Sequence, residues 1–87
     1  VMANILLIDP SDLARKAMRG YLARAGHRLA CASSGGEARD LLRRHVAIDL
    51  VFLEVKLEGG VGFDFVDAIR AEPLLAALPM VFYAAAP

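Results

Sequence analysis

Two carboxylates stand where a ligand would be met. Asp9 closes the apolar run Asn4-Ile5-Leu6-Leu7-Ile8, and Glu54 closes a second run ending in Leu50-Val51-Phe52-Leu53. In an open parallel sheet the carboxyl ends of the strands form the ligand crevice, so acids at both ends are candidates for contact with a bound group. Glu54 leads into Val55-Lys56-Leu57-Glu58-Gly59-Gly60-Val61-Gly62, a glycine-rich stretch ahead of a helical pattern. Helix N-termini bind phosphate, so this loop is a candidate phosphate or nucleotide cradle. It lacks the full G-x-G-x-x-G spacing, and Gly60-Val61-Gly62 alone is a weak signal. His27 and His45 have no cysteine or histidine at zinc-ligand spacing. Cys31 sits in a short apolar run and reads as a small buried residue rather than a reactive thiol.

The elements that must hold the two acids alternate along the chain, as in an α/β domain built from right-handed crossovers. Asn4 to Ile8 suits a strand buried on both faces. Ser11 can cap the helix that follows, and Asp12 favours its first turn. Leu13, Ala14, Ala17, Met18, Tyr21, Leu22 and Ala25 recur there at helical spacing, and Gly26 ends it. Arg28 to Ala32 reads as an edge strand. Ser33 to Gly36 turns into a helix with Ala38, Leu41 and Leu42 inward, ending near His45. Ile48 to Leu53 is the central strand. A helix from about Phe63 to Ala71 follows, with Phe63, Val66 and Ile69 inward, and Glu72-Pro73 ends it because proline restricts the residue before it. Met80 to Tyr83 is the last strand.

If the chain winds one way from the first strand to the second and then reverses, the strand order is 2-1-3-4. The reversal makes the ends of strands one and three neighbours, which brings Asp9 beside Glu54. The first helix then covers one face of the sheet and the other two helices cover the opposite face. The side of the first face beneath strands three and four is left bare.

These residues resemble the receiver domains of two-component response regulators. The resemblance implies an α/β, flavodoxin-like (CheY-like) open parallel sheet, truncated before the fifth strand, with residues 1–87 forming a single, partial receiver-like domain. In that family the site combines a strand-three aspartate that accepts phosphate, an acidic pair after strand one that holds Mg²⁺, a Thr or Ser after strand four, and a strand-five lysine. Asp9 matches the first acid of the pair, Pro10 takes the place of the second, Glu54 takes the place of the phosphoacceptor, and Ala84 takes the hydroxyl position. Loss of one carboxylate weakens Asp9 as a metal ligand, since Mg²⁺ leans on carboxylates in a near-octahedral oxygen shell. The added methylene of Glu54 displaces the reacting oxygen, and a misplacement of ~1 Å can cost about a hundredfold in rate. In the loop, Gly59 and Gly62 supply the freedom the turn needs, and the Lys56 ammonium is expected to fold toward the acids in place of a cation.

Composition narrows the role. The 87 residues are 57% hydrophobic, with a mean hydropathy of +0.48. That is rich against the roughly 45–50% apolar content of ordinary soluble domains, and it points to a protein partner, a homo-oligomer or further chain that covers the excess. Val81, Phe82 and Tyr83, beside the bare side of the sheet, are the candidate contact residues. Ten basic and ten acidic residues balance, which argues against a nonspecific grip on nucleic acid or on an anionic membrane. Arg15, Lys16, Arg19 and Arg24 could form a docking surface, but such a set is more often a solvated helix face. No apolar stretch approaches the roughly 20 residues that span a bilayer, and a cytoplasmic setting is expected. The expected function is a non-enzymatic signalling module of a phosphorelay-type system, without a required cofactor and independent of phosphorylation, acting by protein–protein interaction. The alternatives are a working phosphoacceptor using Glu54 with Mg²⁺, and a phosphate or nucleotide binder using the loop from Gly59 to Gly62.

Overall fold

The computed structural model describes residues 2–44, 47–55, 62–73 and 75–84. Seven elements follow in order: β1 (Asn4–Ile8), α1 (Asp12–Arg24), β2 (Arg28–Ala32), α2 (Gly35–Arg44), β3 (Leu50–Glu54), α3 (Gly62–Arg70) and β4 (Met80–Tyr83). The strands form one parallel sheet in the order β2-β1-β3-β4. The expected order therefore holds. The central strand begins two residues later than expected and runs through Glu54, which takes its place in the ladder rather than after it.

Local chemistry explains where the helices start and stop. Ser11 is the N-cap of α1, its Oγ accepting the Ala14 N–H at 3.1 Å. Gly26 follows the helix with φ +90°, a conformation that costs a residue with a Cβ about 1–2 kcal/mol. At the start of α2, the Ser34 Oγ accepts the Glu37 N–H at 3.2 Å, while the Glu37 carboxylate accepts the Ser33 hydroxyl at 2.9 Å. This reciprocal arrangement is close to a capping box. Beyond α3, the Arg70 guanidinium donates to the Ala76 and Leu78 carbonyls at 2.6 and 2.9 Å, fastening the connection into β4.

The main core lies between the sheet and α2 with α3. Leu6 and Ile8 of β1, Ala32 of β2, and Val51 and Leu53 of β3 pack there with Ala38, Leu42, Phe65 and Ile69. Alternation along the strands turns Ile5 and Leu7 to the other face. On that face α1 packs beside β2, and its apolar residues divide. Ala14, Met18 and Leu22 are half-buried, while Leu13 and Tyr21 are 79% and 69% exposed. Among the described elements α1 meets no second helix on its face, so the outer half of its apolar stripe has nothing to pack against. The row Leu7, Phe52, Val81 crosses the same face in register. Its exposure rises from 0% at Leu7 through a half-buried Phe52 to 41% at Val81. The sheet is thus least covered beneath β3 and β4, as the winding of the chain requires.

Candidate functional site: an acidic pocket closed by tyrosine

The register brings the three key residues into one row. Ile8 lies opposite Leu53, so Asp9, the next residue, lies beside Glu54, and Glu54 lies opposite Tyr83 of β4. Period-two alternation puts all three on the face away from the main core, at the carboxyl end of the strands. Backbone bonds hold the row at both sides. Asp9 N–H donates to the Ala32 carbonyl at 3.0 Å, and Val55 N–H donates to the Tyr83 carbonyl at 2.9 Å.

Both acids are buried, Asp9 at 1% exposure and Glu54 at 5%. A buried carboxylate must have its oxygens satisfied, and Asp9 has both engaged. Its Oδ1 accepts the Ser11 N–H at 2.8 Å, and its Oδ2 accepts the Tyr83 hydroxyl at 2.7 Å. The first of these bonds shapes the turn from β1 into α1. The second spans the row, from β4 across Glu54 to β1. Burial pushes the Tyr83 phenol well above the ordinary tyrosine range. The hydrogen bond to Asp9 and the negative charge of Asp9, then the charges of Glu54 and Cys31, push it the same way. The hydroxyl therefore stays protonated and available as a donor.

Arg15 completes the rim. Its guanidinium donates to the Asp9 carbonyl at 2.6 Å and pairs with Asp12 one turn before it. The sequence placed Arg15 on a solvated helix face, yet its side chain is only 20% exposed. The spacing from Asp9 held a usable signal, because a long side chain in the first turn of a helix can reach back over the turn that precedes it. Tyr83 differs in a similar way from its neighbours on β4. Val81 and Phe82 are 41% and 44% exposed, whereas Tyr83 is half-buried and turned to Asp9 rather than outward as a contact residue.

Pro10 follows Asp9 in the turn and contributes no carboxylate, and Ala84 is exposed beyond β4 without a hydroxyl. Lys56 and Gly59 lie outside the described residues, while Gly62 opens α3. His27 serves the fold, its Nδ1 accepting the Ala3 N–H at 3.0 Å. Magnesium asks for near-octahedral oxygen coordination. Against that need the described row supplies two carboxylates, one of them with both oxygens already accepting hydrogen bonds, and a proline where another acid would stand. Among the described residues no cluster of three or more His, Cys, Asp or Glu forms a metal cage. The described donor set alone falls short of that shell.

Comparison with known proteins agrees with this geometry. The response regulator receiver domain model matches residues 5–86. Over 69 residues the chain is 42% identical to the transcriptional regulatory protein AfsQ1 of Streptomyces coelicolor, covering 79% of this chain and 30% of that protein. Over 82 residues it is 33% identical to the transcriptional regulatory protein GltR of Pseudomonas aeruginosa, covering 94% of this chain and 34% of that one. The chain spans about a third of the length of these curated relatives. Among solved structures, a response regulator receiver protein from Pseudomonas putida superposes with a TM-score of 0.88 at 26% identity, over 97% of this chain and 69% of that one. The chemotaxis response regulator CheY4 of Vibrio cholerae superposes at 0.87 with 27% identity, over 94% and 68%. The parallel sheet in the order 2-1-3-4, the two strand-end acids and the matched residues together show that the chain belongs to the response regulator receiver domain family.

Proposed function

We propose that this receiver domain regulates by contact with another protein and does not accept a phosphoryl group. The observation that carries this reading is the closed row Asp9–Glu54–Tyr83, in which Asp9 spends both oxygens on protein donors and is followed by Pro10. A phosphoacceptor site needs a reachable nucleophile and cationic charge to offset the incoming oxygens. Here the nucleophile position holds a buried glutamate, with a tyrosine hydroxyl bonded to the acid beside it. The module is then a non-enzymatic one that needs no cofactor, and it works in the cytoplasm of a bacterial cell. The two curated relatives are transcriptional regulatory proteins, which favours an assembly whose output is transcription. With equal numbers of acidic and basic residues, its partner is a protein, or a second copy, rather than nucleic acid. Among the described residues no helix is long and apolar enough to cross a membrane. The exposed Val81 on the uncovered face of β4 and Phe82 on the opposite face supply apolar contact area.

The test is spectroscopic. Beryllofluoride with Mg²⁺ mimics a bound phosphoryl group, and backbone amide signals of Asp9, Val55 and Tyr83 report on its arrival. The expected result is unchanged signals. Saturable, one-to-one shifts at these residues would overturn the reading in favour of a working phosphoacceptor using Glu54. Parallel titration with nucleotides tests the glycine loop, and saturable shifts in the residues beginning α3 would favour a phosphate binder instead.

A further inference from the structure

Of the two hydrogen bonds that occupy Asp9, only one can be released without undoing a helix start. The Ser11 N–H belongs to the turn that sets the α1 cap. The Tyr83 hydroxyl comes from the end of the strand next to β3 and reaches Oδ2 through its side chain alone. We propose that Tyr83 is the gate of the acidic pocket: its hydroxyl holds the Asp9 oxygen that a divalent cation would need, and so excludes the cation. This rests on the reading above that the pocket is closed, and it names the residue that closes it.

The chemistry of a phenol suits the task. A lysine or arginine at this place would neutralise the acids, whereas a neutral O–H satisfies one carboxylate oxygen and leaves both negative charges in the row. Removal of that hydroxyl then frees one Asp9 oxygen beside Glu54, and hard cations take carboxylate oxygens. Pro10 limits the gain, because its position still offers no donor side chain. Tyr83 is a positioning residue, and the tightening on its removal measures what the gate withholds.

The experiment is a titration with Mn²⁺, followed by paramagnetic resonance of the free ion, on the whole chain. Tyr83→Phe keeps the ring and removes the donor, and Tyr83→Leu removes the donor with a smaller apolar side chain. Both variants are expected to bind Mn²⁺ about tenfold or more tightly than the parent, the factor that follows from freeing a carboxylate from one charged hydrogen bond. Adding Asp9→Asn to either variant must abolish the gain, which places the ion on Asp9. Equal affinity of parent and hydroxyl-free chains would overturn the gate, as would a gain that survives Asp9→Asn. Should the variants not fold, the Tyr21→Phe chain carrying fluorotyrosine at position 83 gives the same answer. Mg²⁺ must then either fail to bind, as the gate requires, or move the fluorine resonance of Tyr83 as it displaces the hydroxyl from Asp9, and cation binding with that signal unmoved refutes the gate. Absence of a gain alongside an inert beryllofluoride response removes the gate but leaves the proposed function standing. A beryllofluoride response in the parent chain removes the proposed function, and the ratio between variants still judges Tyr83.

Discussion

Coupling between Tyr83 and Asp9 is the energetic feature of this fold most open to measurement. The bond is 2.7 Å long, within the range of a hydroxyl donating to a charged acceptor. Hydrogen bonds to charged groups contribute about 1.5–3 kcal/mol net, and leaving the partner buried without a donor adds to the loss. Tyr83→Phe should therefore destabilise the chain by about 2 kcal/mol, since Asp9 is 1% exposed and water cannot readily replace the hydroxyl. For a domain of this size that lowers the melting temperature by about 8–16 °C. Asp9→Ala should cost more than Tyr83→Phe, because it also strands the Ser11 N–H. The double-mutant cycle separates the shared part. Urea unfolding of the four chains should return a coupling energy of about 1–3 kcal/mol, whereas independent sites add within ~0.5 kcal/mol. A coupling inside that smaller bound would show that the hydroxyl does not satisfy Asp9 in solution, and the closed pocket would fall with it.

Other outcomes follow from the same structure. In a Tyr21→Phe chain the phenolate absorbance reports Tyr83 alone, since the sequence has two tyrosines. With its pKa raised by burial and by Asp9, the stabilisation from Tyr83 is complete below the ordinary tyrosine pKa of about 10 and falls as pH rises above it. Phenolate should therefore appear together with loss of circular dichroism in an alkaline titration, and its appearance in a folded chain would contradict the burial of the hydroxyl. Gly20 lies inside α1 with nothing within 4 Å of an added Cβ. Gly20→Ala should stabilise by about 0.5–1 kcal/mol in urea unfolding. Gly26→Ala should do the reverse and cost about 1–2 kcal/mol, because φ is +90° there and open space around the position does not relieve the strain.

The sequence carried the sheet because its signals were local and periodic. Unbroken apolar runs marked β1 and β3, a serine and a glycine bracketed α1, and a reversal of winding after β2, assumed on the sequence, is what makes Asp9 and Glu54 neighbours. The bare side of the sheet was legible for the same reason, and Phe52 and Val81 show it as rising exposure along one row. Side-chain direction at the row's end was not legible. Tyr83 reaches Asp9 from 74 residues away, and no local pattern says whether a strand-end tyrosine turns inward or out. The outer stripe of α1 misled in the opposite way. Leu13 and Tyr21 keep helical spacing with the inward residues, but spacing reports a face and not whether anything covers it. The main-chain partner of Arg15 is legible only from its spacing to Asp9, since a carbonyl leaves no trace in residue types.

Phosphotransfer itself is decided most directly by intact mass. The whole chain is incubated with excess acetyl phosphate and Mg²⁺, quenched, and read by mass spectrometry beside an active receiver domain treated in parallel. The unmodified mass should persist while the active receiver gains one phosphoryl group. A stoichiometric, Mg²⁺-dependent gain of that mass, mapped by fragmentation to Glu54, would contradict the account.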